Sequence, residues 1–168
     1  MSSKRKELGH LFYIFLWVLA VTFTGHFIGV HASWAYSLVV PLFFLMHGEA
    51  KDKLKSIFIG GPVGMMIAYI MCISISRLSH VIGHNVAYVL CLTAAIALLL
   101  LLKPFAPHVF NNVGFIYLIV GTVDTAAFCK DILFLIGSFL IGGAIYIGGV
   151  LLIIKGIKAH AARVASKI

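Results

Sequence analysis

The sequence predicts an all-α polytopic membrane protein, with six transmembrane helices in two inverted three-helix halves and short second and fifth helices. Three observations lead there. The chain is 62% hydrophobic and only 11% charged, with a mean hydropathy of +1.10, whereas a soluble domain of this length coats its core with far more charge. Nearly every charge falls between apolar runs rather than within them. The basic residues gather at one set of run ends, as the positive-inside rule requires.

The first run, Leu11–Val30, has the 20 or so residues that cross a hydrocarbon core of about 30 Å. Lys4, Arg5 and Lys6 precede it and Val30-His31-Ala32 follows it, an arrangement that resembles a cleavable secretory leader. Its length, its internal His26 and the charge balance favour a retained helix instead. The second run, Trp34–Met46, reaches only about 20 Å at 1.5 Å per residue. The mixed charges of His47–Lys53 then make a solvated turn. Ile57–Ile75, the third run, is interrupted by Gly60, Gly61, Pro62 and Gly64. Arg77–Asn85 reads as an outside loop, and Val86–Leu102 is the fourth run. Pro104 and Pro107 break it, and the short fifth run, Val109–Val123, follows. The sixth, Ile132–Ile154, continues into a basic tail over 155–168 that anchors at the headgroups. The whole chain, 1–168, reads as one integral membrane domain with inverted halves over about 11–77 and 86–155.

Of the 13 Lys and Arg residues, six spans put Arg77 and Lys130 outside and all the others inside. That bias supports an even number of spans with both termini cytoplasmic. The net charge of +8 is thereby explained by anionic headgroups. No basic soluble face with interleaved aromatics suits a nucleic acid, so none is expected as a partner. Shifting the chain by 77 positions pairs Trp34–Met46 with Asn111–Val123 and Gly60 with Gly137. Two short helices in matching places of two halves are the usual pointer to a transporter's central site.

Several residues are candidates for a solute path. Asp124, in Gly121-Thr122-Val123-Asp124-Thr125, is an acid at the end of a short span, where it binds a cation or a proton, or simply caps the next element. Thr122 stands beside it. Asn111 and Asn112 open the fifth span, either as caps or as hydrogen-bonding groups for a polar solute. His47 follows the second span. His26 lies inside the first, where an ionisable group is a functional candidate by default. The eight histidines permit gating by pH in principle, since imidazole titrates near neutrality. Gly60, Gly64, Gly137, Gly142 and Gly143 are expected to pack helices three and six closely, or subunits against each other, so a homo-oligomer is expected.

His80 and His84 lack a companion ligand, so no metal site is expected. Nor is a cofactor, because only His26 sits deep enough to ligate haem. Cys72, Cys91 and Cys129 form no framework and read as small apolar residues. No nucleophile motif, HExxH or paired acid is present, so no enzyme activity is expected.

Ser33-Trp34-Ala35, Gly60-Gly61-Pro62-Val63-Gly64, Lys103-Pro104-Phe105, Val113-Gly114-Phe115-Ile116 and a Gly-rich last helix with a basic tail occur in this order. Over about residues 15–160 the pattern resembles the small bacterial inner-membrane proteins grouped as domain-of-unknown-function family 1097. Asn111-Asn112 departs from it. The resemblance implies a six-helix inner-membrane protein and transfers no functional residue. The functional expectation is a channel or secondary carrier for a small polar solute. The alternative is a non-transporting scaffold, or an accessory or substrate-binding subunit of a larger membrane complex.

Overall fold

The computed structural model describes residues 3–27, 33–123 and 125–165. Asp124 therefore lies outside the described residues. Eight helices occur among them, and no strand: α1 (Ser3–Phe27), α2 (Ser33–Ser37), α3 (Val39–Leu45), α4 (Ala50–Ile82), α5 (His84–Leu102), α6 (Asn112–Gly121), α7 (Thr125–Lys130) and α8 (Ile132–Ala165). Three are long and apolar enough to cross a membrane: α4, α5 and α8 over Ile132–Ala159. The chain is thus all-helical, with apolar helices compatible with an integral membrane protein. Phe12–Phe27, Ser33–Leu45 and Asn112–Gly121 are shorter apolar helices. The last two coincide with the short runs of the sequence.

The chain forms two compact units, one of residues 42–137 and one of the terminal segments 1–41 and 138–168. Their boundaries fall inside the second apolar run and within α8, and not between residues 77 and 86, where the halves meet in the sequence.

In the 42–137 unit, α4 is the central element, with α5, α6 and α7 packed on it. The expected loop over 77–85 is helix instead, because α4 continues to Ile82 and Gly83 alone joins it to α5. Gly83 has φ 82° and donates its N–H to the Ser79 carbonyl at 3.2 Å. A left-handed residue ends a helix in a single step, and glycine takes that conformation without steric cost. His80 and His84 consequently fall on either side of a turn rather than one helical turn apart. No group of three metal-binding side chains occurs among the described residues.

Helix α5 buries only Ala87, Cys91, Ala95 and Leu99. That four-residue period makes one narrow stripe. Val86, Val89, Leu90, Leu98, Leu100 and Leu101 point outward and are exposed, as on a helix solvated by lipid.

The glycines of α4 meet α6. A Cβ at Gly64 would collide with the backbone of Gly114, and one at Gly60 with the Asn111 side chain. A Cβ at Gly114 would in turn lie 2.9 Å from the Gly60 carbonyl oxygen. The expected partner of Gly60 and Gly64, the last helix, is thus corrected to the short α6. Small residues permit this approach in lipid, where dispersion rather than hydrophobicity joins helices. Ile57, Met65, Ala68, Val113 and Tyr117 fill the rest of this seam and are buried. Gly137, another expected packing glycine, would meet nothing within 4 Å. The space its side would face is open among the described residues.

In the terminal unit, the core is aromatic. The Trp17 indole N–H donates to the Tyr146 carbonyl at 3.0 Å. The Tyr146 hydroxyl donates to the Val18 carbonyl at 3.0 Å and touches the Thr22 hydroxyl. Tyr36 packs edge-on against Tyr146, with centroids 5.5 Å apart. Gly142 lies under the Tyr36 ring and Gly149 under the Trp17 indole, while Gly143 is buried. Helix α8 runs unbroken to Ala165, so the basic tail continues the last apolar helix as far as that residue.

Candidate functional site

The polar chemistry of the 42–137 unit gathers where α5 ends and α6 begins. Lys103 closes α5, and turns over 103–110 follow, held by carbonyls of Leu102 and Ala106 that accept from Phe105, Ala106, Val109 and Phe110. Pro104 and Pro107 cannot donate to a continuing helix, which is why the chain turns here. Asn111 then caps α6. Its Oδ1 accepts from the Val113 and Gly114 N–H groups at 2.9 and 3.0 Å. Its Nδ2 donates to the carbonyls of Ser56 and His108, both at 2.9 Å.

All four hydrogen-bonding positions of this amide are therefore occupied. Asn111 satisfies the orphan N–H groups of a helix start and ties α6 to α4, and it has no hydrogen bond left for a solute. A second tie runs alongside: the Ser56 hydroxyl and the Nδ1 atom of His108 share a hydrogen bond of 2.9 Å. Ser56 is only 7% exposed, so this partner answers the cost of burying a hydroxyl.

Outside these ties lies a cleft of about 390 Å³. Its polar wall is His47, Lys103, Asn112 and the edges of Ser56 and Asn111, and its apolar wall includes Leu42, Leu45, Met46, Val113 and Ile116. No carboxylate lines it. The Lys103 ammonium donates to Asn112 Oδ1 at 3.0 Å, leaving further ammonium protons and the Asn112 amide N–H groups to face the cleft. Such a wall suits a small polar solute with acceptor oxygens.

The structure thus brings together three of the sequence candidates, His47, Asn111 and Asn112. Thr122 is not among them. It stands at the far end of α6, about 16 Å from Asn111 at 1.5 Å per residue, and its hydroxyl donates to the Ile119 carbonyl at 2.7 Å. His26 is exposed in the last turn of α1, within the terminal unit. Two residues of the cleft were not candidates in the sequence. These are Lys103, which the sequence places only in the inside charge count and the Lys103-Pro104-Phe105 break, and Ser56. Their pairing with His108 and Asn112 depends on where the proline turns carry the chain, and the residue pattern marks the break without giving its path.

No family model, curated protein or solved structure matches this chain.

Proposed function

We propose that the chain is a channel or secondary carrier for a small polar solute in a bacterial inner membrane. In this reading six segments cross or enter the bilayer as two inverted halves, with both termini cytoplasmic. The observation that carries it is the cleft at the start of α6, which sets Lys103, His47 and Asn112 beside a helix too short to span. Ten residues reach about 15 Å, half of the hydrocarbon thickness, and such helices line solute paths. The surrounding lipid is the first partner, and further copies of the chain are the second, since Gly137 and Gly148 would meet nothing within 4 Å among the described residues. No cofactor and no enzymatic step is assigned.

The test is solute flux into proteoliposomes, followed by light scattering with water, glycerol, urea, acetate and ammonium, at about pH 7 and pH 5 to bracket imidazole titration. The expected result is a flux selective for one solute that falls at least tenfold in Lys103→Ala, with Asp124→Asn run beside it. Flux no greater than in empty liposomes refutes the proposal.

One observation favours the alternative of a non-transporting scaffold or accessory subunit. The seam between α4 and α6 is closed by backbone contact at Gly64 and Gly114, which leaves no passage between those two helices. A scaffold would show no flux and would tolerate Lys103→Ala, while copurifying with a partner from its native membrane.

A further inference from the structure

We propose that Cys72 and Cys129 form a dithiol–disulfide couple, a reversible covalent modification site that ties α7 to α4. Two observations lead to the same place. The side chains of Cys72 and Cys129 are neighbours close enough to interact, and both cysteines are free thiols. Independently, the packing brings their neighbours together. A Cβ at Gly121 would lie 2.9 Å from the Phe128 ring and 3.1 Å from Ala68 Cβ. Cys72 is one helical turn beyond Ala68 on the same face of α4, and Cys129 adjoins Phe128 on α7.

The two thiols differ in access. Cys72 is buried, while Cys129 is half-buried and precedes the exposed Lys130. Reactive cysteines are partly exposed ones with cationic neighbours, and buried apolar ones are inert, so Cys129 is the entry point. The co-reactant is a low-molecular-weight disulfide, RS–SR. The Cys129 thiol loses its proton and attacks one sulfur of the reagent. The reagent's S–S bond breaks, and one RSH leaves as a mixed disulfide forms on Cys129. The Cys72 thiol then displaces the second RSH, taking the bond to Cys129 Sγ. In all, two cysteine thiols are oxidised and one RS–SR is reduced to two RSH.

An S–S bond of about 2.05 Å requires the two sulfurs to close in further, by side-chain rotation and a shift of α7. α7 suits this, being only six residues long. The third cysteine is an internal control, because Cys91 is spent in the buried stripe of α5. The inference is independent of what the chain transports.

The experiment uses the purified full chain in detergent micelles, freed of reductant and treated with oxidised glutathione. Intact mass, peptide mapping and thiol counting under denaturing conditions are the readouts. Wild type and Cys91→Ala are expected to lose two thiols together, become lighter by two hydrogens, yield a Cys72–Cys129 cross-linked peptide, and recover on adding dithiothreitol. Cys72→Ala is expected to stop at a glutathione adduct on Cys129. Circular dichroism of each variant guards against loss of fold. A stable glutathione adduct on wild-type Cys129, a cross-link involving Cys91, or three thiols surviving the oxidant each overturns the proposal.

Discussion

In the 42–137 unit, Gly60 and Gly64 of α4 meet the cap and backbone of α6, whereas in the terminal unit Gly142 and Gly149 of α8 meet the rings of Tyr36 and Trp17. The same residue type thus makes room for two kinds of neighbour. Backbone cannot rotate away from an added methyl group, so the α4–α6 seam is rigid at a scale below one ångström. A ring on a side chain can change rotamer, and for Trp17 the cost is its indole hydrogen bond to the Tyr146 carbonyl. The difference predicts that equal substitutions have unequal effects in the two units.

The largest effect is expected at Gly64. Gly64→Ala drives a methyl group into the Gly114 backbone and should destabilise the protein by about 3 kcal/mol, the upper range for overpacking. Gly64→Leu should yield no folded protein. Denaturation in mixed micelles, followed by circular dichroism, measures both, and wild-type stability in Gly64→Ala would break the comparison. Next comes Asn111→Ala, which removes a cap, the bond to Ser56 on α4 and a local bond to His108, and should cost about 2 kcal/mol. Asn111→Asp keeps the acceptor for Val113 and Gly114 but not the donor to Ser56 and His108, so it should fall between the two.

In the terminal unit the effects are smaller. Gly149→Ala presses on an indole that can tilt and should cost about 1 kcal/mol. Trp17→Phe, which removes the indole N–H bond to the Tyr146 carbonyl together with indole atoms that lie over Gly149, should cost at least as much, with the loss visible in the same unfolding curves. The double variant sharpens the comparison: if tilting the indole already breaks that bond, the two costs should not add. The smallest effect carries the opposite sign. Gly137 would meet no neighbour within 4 Å, so Gly137→Ala should stabilise α8 by about 0.5 kcal/mol through helix propensity. A marked destabilisation there would instead reveal a contact with a second copy of the chain.

These contrasts explain what could be read in the sequence. The apolar runs made the long helices legible, because lipid demands length and apolarity and little else. The short runs at 34–46 and 109–123 reappear as Ser33–Leu45 and Asn112–Gly121 for the same reason. The partner of Gly60 and Gly64 was not legible, since a glycine stripe advertises close approach without naming what approaches. The outside loop at 77–85 was misread because Arg77 and His80 looked like loop residues, although polar side chains ride readily on the last turns of a helix. In the cleft, Asn111 was recognisable as a cap, as residue type and position before an apolar run allow. Lys103 and Ser56 were hidden, because their partners lie across a turn or on another helix.

Gly83 also bears on how the protein is made. A single residue between α4 and α5 leaves almost no hydrophilic stretch to translocate, so the two helices can leave the ribosome and partition into lipid together as a hairpin. In the proposed topology Arg77 is the one permanent charge that would travel with the turn, and a central arginine opposes insertion by about 3 kcal/mol. Its place near the end of α4 would let it escape most of that penalty by reaching the far headgroups. Lengthening the turn would therefore change little in the finished fold, but it would uncouple the entry of two helices that are now delivered as one.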